Sequence, residues 1–254
     1  MADGSVHYAL AAGVATITMD RPAARNALNQ ALRDGLWAAF RRFVADDVAQ
    51  VAVLASTGDV FSAGADLKEM AALGLKVPPP DFLPQLGRNL HTDKPVIAAV
   101  QGPAYAGGFA LAQMCDLCVA ADDARFAITE AKWSRGAPWA APLPWLIPPR
   151  VALELIATAE PLTAERAHQI GLVNRVVPRA RLLEEAEALA ATIARNAPLS
   201  VRAAKRMVYA VAGRDLAGAL ELGEEIWKPV YESEDAQEGP RAFREKRAPV
   251  WRGR

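Results

Sequence analysis

The most constraining feature of the sequence is a strand–turn–helix pattern between Lys94 and Glu130. Residues 96–100 form a short apolar run between a proline and a glycine, which is typical of a buried strand. A glycine–proline turn follows, and then the pair Gly107 and Gly108. The residues after this pair are mostly good helix formers, so the sequence predicts a helix that begins at the glycines.

The start of this predicted helix offers backbone amides to an oxygen that acquires negative charge. The first N–H groups of a helix lack intrahelical acceptors and lie at the positive end of its dipole. Gly107 has no side chain, so a carbonyl group can approach its amide closely. The stretch 61–70 has the same pattern, with Ala65 in its turn. We predict that the amides of Ala65 and Gly107 converge as an oxyanion hole, although a glycine turn taken singly is more often only a turn.

Charge and hydropathy exclude several classes of protein. The 254 residues include 29 Lys and Arg against 29 Asp and Glu, so net charge gives no reason to propose a nucleic-acid partner. The amino terminus has no basic flank before an apolar segment, and no apolar run reaches the roughly 18 residues that a membrane span needs. We therefore expect a cytoplasmic protein without a membrane partner.

The two cysteines, Cys115 and Cys118, form a single CxxC pair. A second pair with zinc-ligand spacing is absent from the sequence, and the flanking pattern runs from helix to strand. We expect two buried thiols rather than a redox or metal site. No metal ion and no separate cofactor are predicted.

Alternation of strands and helices predicts an α/β fold. Strands are expected at 7–10, 14–19, 51–55, 117–120, 125–128 and 172–177. Asn29 is expected to cap a helix whose apolar residues recur on one face from Leu32 to Val44. Later helices are predicted at 151–157, 163–170, 182–194, 199–211 and 216–227, and no strand signal appears after residue 178. The prolines of 74–84 predict a loop, mobile or rigid, near the site.

Glu130 follows the last central strand and has apolar neighbours, including Trp133 and Trp139. A carboxyl held among them loses hydration, which raises its pKa and suits a group that takes and returns a proton near neutral pH. A surface glutamate after a strand is the competing interpretation. The proline-rich stretch 136–149 cannot form a long straight helix. It is either a rigid apolar wall for a substrate or plain core packing.

The order of motifs resembles the enoyl-CoA hydratase/isomerase, or crotonase, superfamily over nearly the whole chain. The matching segments are NAL at 26–28, FSAGADLKEM at 61–70, KPVIAAVQG at 94–102, AGG at 106–108, CDL at 115–117, Glu130, GLVNRVVP at 171–178 and SEDAQEGPRAFREKR at 233–247. The resemblance implies an α/β spiral of ββα units, here residues 1–196, and a helical C-terminal region, 197–254, that builds a homotrimer or a hexamer. It also implies an acyl-CoA thioester as substrate, with coenzyme A as part of that substrate.

The resemblance assigns roles residue by residue. It implies Glu130 as the catalytic acid and base, with the amides of Ala65 and Gly107 as the oxyanion hole. Contacts to the substrate or its CoA group are implied for Arg25, Ala27, Leu28, Ala63, Asp66, Leu67, Lys68, Phe243 and Lys246, of which Phe243 and Lys246 reach a neighbouring subunit. An acyl pocket is expected from Met70, Ala110, Trp133 and Trp139.

One position departs from the hydratase pattern. Hydratases of this family hold a water between two glutamates, and the position of the first is Ala110 in this chain. Alanine cannot move a proton, whereas shifting a double bond needs only one carboxyl. The sequence therefore leaves open a hydratase with one glutamate, an isomerase or other one-base enzyme, and a non-catalytic acyl-CoA binder.

Overall fold

The computed structural model describes residues 4–74 and 76–254, and its centre is a six-stranded sheet. Nine strands are present in the described residues: β1 Ser5–Ala11, β2 Val14–Asp20, β3 Val51–Ser56, β4 Val96–Val100, β5 Pro103–Tyr105, β6 Leu117–Ala121, β7 Arg125–Ala127, β8 Leu162–Thr163 and β9 Arg175–Val177. The large sheet has the order β1-β2-β3-β4-β6-β9. The first two strands form an antiparallel hairpin, and every later neighbour is parallel. The predicted α/β class is confirmed.

A second, three-stranded sheet has the order β5-β7-β8 and lies next to the turn that precedes the glycine pair. Strand β5 pairs in parallel with β7, so that Tyr105 lies opposite Ala127. The sequence predicts only a turn at 102–103, because glycine and proline obscure a three-residue strand whose partner is about 20 residues away. This sheet fixes the segments before Gly107 and before Glu130 side by side.

Ten α-helices surround the sheets within the described part of the chain: α1 Gln30–Ala45, α2 Leu67–Ala72, α3 Gly107–Met114, α4 Leu143–Leu146, α5 Pro149–Thr158, α6 Ala164–Gln169, α7 Leu182–Ala194, α8 Pro198–Ala210, α9 Leu216–Tyr231 and α10 Asp235–Glu245. Short 3₁₀ turns occupy Pro22–Ala24, Thr129–Trp133, Pro138–Ala140 and Arg179–Arg181. The proline-rich stretch is thus broken into a 3₁₀ turn and one short helix, as its prolines predict. None of the described helices has both the length and the apolar character needed to cross a membrane.

The central strands are buried on both faces, which explains their continuous apolar sequences. Ala52 and Leu54 of β3 face the large core beneath α1. Val51 and Val53 alternate with them and pack with residues of α7 in a second core. Asn29 caps α1 by accepting a hydrogen bond from the Leu32 amide, as predicted. The sheet is therefore sandwiched between helices.

The C-terminal helices are joined to the core by a partly buried ion pair. Lys205 Nζ of α8 lies 2.8 Å from Asp116 Oδ2, which also accepts a hydrogen bond of 2.7 Å from the Val96 amide. In the described residues no strand follows Val177, in agreement with the sequence pattern. The boundary expected near 196–198 coincides with the gap between α7 and α8, and its status as a domain boundary stays a prediction.

Of three further expectations, one differs from the structure in its limits. The strand predicted over 172–177 is regular only over Arg175–Val177, because the Leu172 and Val173 amides bond to the Ala167 carbonyl in a turn. Most of the C-terminal motif over 233–247 lies in α10, in agreement with the helical C-terminal region that the sequence predicts. The loop expected over 74–84 has no helix or strand in 76–84, and residue 75 lies outside the described residues.

Candidate functional site

Two short segments bring the backbone amides of Ala65 and Gly107 together. Leu28 pairs with Ala65 as an isolated parallel bridge, in which the Leu28 amide donates to the Gly64 carbonyl at 2.8 Å. A Cβ placed on Gly107 would lie 3.6 Å from the Ala65 nitrogen. A Cβ placed on Gly64, whose φ is +91°, would lie 3.2 Å from the Gly107 nitrogen. The two amides are therefore neighbours across a gap that glycines keep open.

Both amides are available to a ligand. Gly107 is the first residue of α3, so its N–H has no acceptor within the helix. Neither this amide nor that of Ala65 donates a hydrogen bond to any group in residues 4–74 and 76–254. Ala106 precedes the helix at φ +49° and ψ −120°, a conformation that alanine rarely adopts, and its amide donates to the Ala127 carbonyl at 2.9 Å. The β5-β7 sheet thereby holds the start of α3 in place.

The second glycine of the pair lets α3 approach the other segment. A Cβ on Gly108 would lie 2.4 Å from the Ser62 carbonyl oxygen, well inside van der Waals contact. The Ser62 side chain is itself buried and donates to the Asn26 carbonyl at 2.8 Å. Gly108 is thus required for the helix to pack against the loop that carries Ala65.

Glu130 lies in the 3₁₀ turn after β7, and its two carboxylate oxygens have different surroundings. Oε1 accepts a hydrogen bond of 3.1 Å from Trp139 Nε1. Oε2 is buried and has no hydrogen-bond partner among the described residues. Burial raises the pKa of Glu130, while its own backbone amide and the Trp139 indole hold part of that rise back. This arrangement favours a carboxyl that exchanges protons closer to neutral pH than an exposed glutamate does.

Trp139 and Gln113 form a support for Glu130 that sequence reasoning found only in part. Gln113 Nε2 of α3 donates to the Trp139 carbonyl at 3.0 Å. The Trp139 ring packs edge-on against Phe109, with 5.8 Å between ring centroids. Gln113 was not among the predicted site residues. The sequence signal for Gln113 is its spacing of three residues from Ala110 in a predicted helix, because residues with this spacing lie on the same helix face.

The predicted acyl-pocket residues separate into two groups. Met70 and Ala110 are buried, and Trp139 contacts Glu130 directly. Trp133 is 63% exposed in this chain and does not pack against the core with Trp139. The 3₁₀ turn over Thr129–Trp133 rotates that side chain outward.

Arg25, Ala63 and Asp66, three of the residues expected to contact CoA, belong to or bond with the Ala65 segment. Arg25 has a left-handed conformation, and its carbonyl accepts from the Ala63 amide at 3.0 Å. The Asp66 carboxylate is already engaged by Arg21 at 2.7 Å and by two amides of α2. The Arg21 bond lowers the pKa of Asp66 despite some desolvation. Asp66 thus orders the segment as a helix cap.

The remaining expected CoA contacts are Ala27, Leu28, Leu67, Lys68, Phe243 and Lys246. Leu28 is fully buried beside Gly107. A Cβ placed on Gly107 would lie 3.1 Å from a methyl carbon of Leu28. Leu67 and Lys68 are exposed at the start of α2. Phe243, 88% exposed, and Lys246 lie at the end of α10, and no hydrogen bond of the described residues links either one to Ala65 or Gly107.

The structure also locates the cysteines and bears on metal ligands. Cys115 and Cys118 are buried free thiols, as expected. Burial raises the pKa of Cys118 to about 12 and that of Cys115 well above its usual value. Within the described part of the chain, no three His, Cys, Asp or Glu residues form a group that could hold a metal ion.

Comparison with known proteins identifies the family. The family model described as enoyl-CoA hydratase/isomerase matches residues 9–254. The chain belongs to the enoyl-CoA hydratase/isomerase family. It is 40% identical over 261 residues to a protein named carnitinyl-CoA dehydratase from Salmonella typhi, a match that covers 98% of this chain and 99% of the relative.

Solved structures of family members share the fold. A probable enoyl-CoA hydratase/isomerase from Mycobacterium abscessus is 41% identical, with complete coverage of both chains and a TM-score of 0.88. An enoyl-CoA hydratase from Mycobacterium tuberculosis is 38% identical over 98% of this chain and 99% of its own, with a TM-score of 0.90. The crotonase fold predicted from the motifs is confirmed, and the chain is an acyl-CoA enzyme of the hydratase/isomerase type.

Proposed function

We propose that this enzyme adds water reversibly to the double bond of a 2-enoyl-CoA thioester, with Glu130 as the only proton carrier. The observation that carries the proposal is the carboxyl of Glu130, fixed through Oε1 by Trp139 while Oε2 is buried and unpartnered in the described structure. A relative named hydratase supports the addition of water, and a relative named dehydratase supports the reverse reaction.

The thioester oxygen would bind between the amides of Ala65 and Gly107. When a water oxygen bonds to Cβ, the π electrons move through the conjugated carbonyl to this oxygen, which becomes an enolate. Preorganised N–H groups stabilise that charge, and losing one such donor typically costs about 10²–10³ in rate. Neither amide needs to break a hydrogen bond with another described residue to do this.

Glu130 balances the protons of the reaction. Its ionised carboxylate removes one proton from the attacking water as the C–O bond forms, and the neutral acid returns that proton to Cα as the enolate collapses. In dehydration the same carboxylate removes the Cα proton and delivers it to the departing hydroxyl. Burial raises the pKa of Glu130, so its neutral acid form is more accessible at neutral pH than that of an exposed glutamate.

Double-bond isomerisation is the second candidate, and Ala110 favours it. A buried methyl group stands where hydratases carry another glutamate. Isomerisation from the 3-enoyl to the 2-enoyl thioester needs only the oxyanion hole and one carboxyl that moves a proton from Cα to Cγ. Assays with straight-chain 2-enoyl and 3-enoyl esters of several lengths, and with carnitinyl-CoA because of the relatives' name, separate the two reactions.

The substitution Glu130→Gln tests the proposal. It preserves the shape of the side chain and removes its ability to exchange a proton, so turnover is expected to fall by about 10²–10⁴-fold. Calorimetric binding of the CoA ester should change little. Unchanged turnover would remove Glu130 from the mechanism, and tight binding without turnover by the wild type on every ester would identify a non-catalytic binder.

The Gly107 amide is tested by a matched pair of variants. Proline is tolerated at the first position of a helix, so Gly107→Pro deletes the N–H without interrupting the bonds of α3. Gly107→Ala keeps the N–H and controls for the Cβ that proline also adds, which would lie 3.1 Å from the flexible end of Leu28 and 3.6 Å from the Ala65 nitrogen. We expect turnover to fall about 10²–10³-fold further in the proline variant than in the alanine variant. Equal activities would argue against the oxyanion hole.

We further propose that the C-terminal helices form a homotrimer or hexamer in which Phe243 and Lys246 contact the CoA of a neighbouring subunit. The high exposure of Phe243 supports this assignment. Light scattering reports the mass of the assembly in solution. A monomer with full activity would contradict the proposal.

A further inference from the structure

Two buried side-chain oxygens, each on a residue that is hydrogen-bonded to Trp139, lack a hydrogen-bond partner in residues 4–74 and 76–254. They are Glu130 Oε2 and Gln113 Oε1. Each side chain uses its other polar atom to bind the same tryptophan, Glu130 at the indole nitrogen and Gln113 at the carbonyl. The two side chains therefore present their free oxygens from fixed positions.

The chemistry of Trp139 settles which atom of the Gln113 amide is free. A backbone carbonyl can only accept, so the atom of Gln113 that faces it must be the NH₂ group. The amide oxygen is consequently the unpartnered atom, and it can only accept. The ionised carboxylate of Glu130 is likewise only an acceptor. A ligand shared by these two oxygens must supply two O–H or N–H donors, as a water molecule does.

The position of Gln113 connects this pair to the amide of Gly107. Both residues belong to α3, and Gln113 lies on the face of Ala110, one turn further along the helix. A buried acceptor without a partner is unfavourable, so this oxygen is suited to a donor group that binds there. The same helix thus begins with the proposed oxyanion donor and continues to a buried acceptor on the side chain that bonds to Trp139, the partner of Glu130.

We propose that Gln113 Oε1 is the second acceptor that holds the water added at Cβ, or the 3-hydroxyl group that leaves in the reverse reaction. This inference rests on the proposed hydration. One O–H of the water bonds to Gln113 and keeps its proton throughout. The other O–H bonds to Glu130, which takes that proton and later gives it to Cα. Gln113 is thus a catalytic residue that orients the hydroxyl, while Ala110 has no polar group with which to do so.

The experiment compares two reactions of the same full-length protein. Hydration of a 2-enoyl-CoA requires an oriented water. Exchange of the Cα hydrogens of the matching saturated acyl-CoA in D₂O requires Glu130 and the oxyanion hole but no water at Cβ. The variant is Gln113→Met, which keeps the length of the side chain without an amide oxygen. Thermal unfolding verifies that the variant is folded.

We expect Gln113→Met to lower kcat/KM for hydration by about 10- to 100-fold and to leave the exchange rate within about threefold of the wild type. Unchanged hydration in Gln113→Met would overturn the inference, and so would an equal loss of both reactions, which would show that Gln113 acts only by holding Trp139 and Glu130. If the wild type exchanges Cα hydrogens but hydrates no ester, the proposed hydration fails, and the inference fails with it.

Discussion

The bond between Trp139 and Glu130 makes a quantitative prediction about the pH dependence of catalysis. Burial raises the pKa of Glu130, and the Trp139 indole opposes that rise by donating to Oε1 at 3.1 Å. Trp139→Phe removes this donor and keeps an aromatic ring against Phe109. The carbonyl that binds Gln113 also remains, because it belongs to the backbone. The pKa of Glu130 is therefore expected to rise further in the variant.

The size of the effect follows from the energy of the lost bond. A hydrogen bond to a charged group contributes about 1.5–3 kcal/mol, and partial exposure of Glu130 places this one near the lower end. A loss of about 1.4 kcal/mol reduces the ionised fraction about tenfold at a pH below both pKa values. Since the ionised form is the active base, kcat/KM should be about tenfold lower there, and the two enzymes should approach each other at higher pH.

The assay is the pH profile of kcat/KM, which reports groups of the free enzyme. The acid limb of Trp139→Phe should lie at higher pH than that of the wild type. Trp145→Phe is the matched control, because Trp145 is 82% exposed, and its profile should coincide with the wild type. An acid limb of Trp139→Phe that is unmoved or lies at lower pH would refute the role assigned to this bond.

Three further predictions concern stability and reactivity. The pKa of Glu130 is raised in the folded protein, so the contribution of this group to stability is fully present below its unfolded-state pKa and is lost as pH rises through its folded-state pKa. Glu130→Gln should therefore increase Tm at neutral pH but not in acid. An equal Tm at neutral pH would contradict this. Gly108→Ala places a Cβ 2.4 Å from the Ser62 carbonyl oxygen, so it should destabilise the fold by about 1–3 kcal/mol in urea unfolding and lower turnover. Wild-type stability would show that α3 can move away from Ser62 without cost. Cys115 and Cys118 should resist a thiol reagent at neutral pH until the protein unfolds, because burial keeps both protonated, and rapid labelling of the folded protein would contradict the buried placement.

Local patterns in the sequence were sufficient to predict the elements that carry the site. The helix at Gly107 and the buried strand before it follow from apolar runs bounded by glycine and proline, which act over a few residues. The cap at Asn29 is similarly local. The adjacency of Ala65 and Gly107 is not local, and it was expected because two separate glycine turns have the same chemical character. The structure places these amides side by side.

The support of Glu130 depends on tertiary packing and could not be predicted in full. Trp133 and Trp139 both follow Glu130 and are equally apolar, yet one is exposed and the other binds the carboxylate. The difference arises because two 3₁₀ turns fold the chain back over α3. Gln113 gains its role from the same fold, since its partner is a carbonyl 26 residues away.

The most direct test of the central claim is the carbonyl stretch of a ¹³C-labelled thioester bound to the Glu130→Gln protein, which should hold the ester without converting it. Hydrogen bonds from the amides of Ala65 and Gly107 would polarise the bound carbonyl more strongly than water does. Infrared difference spectroscopy should therefore show its stretching frequency below that of the same ester free in solution, and the shift should shrink when Gly107→Pro is added. A bound frequency equal to or above the solution value would contradict the account.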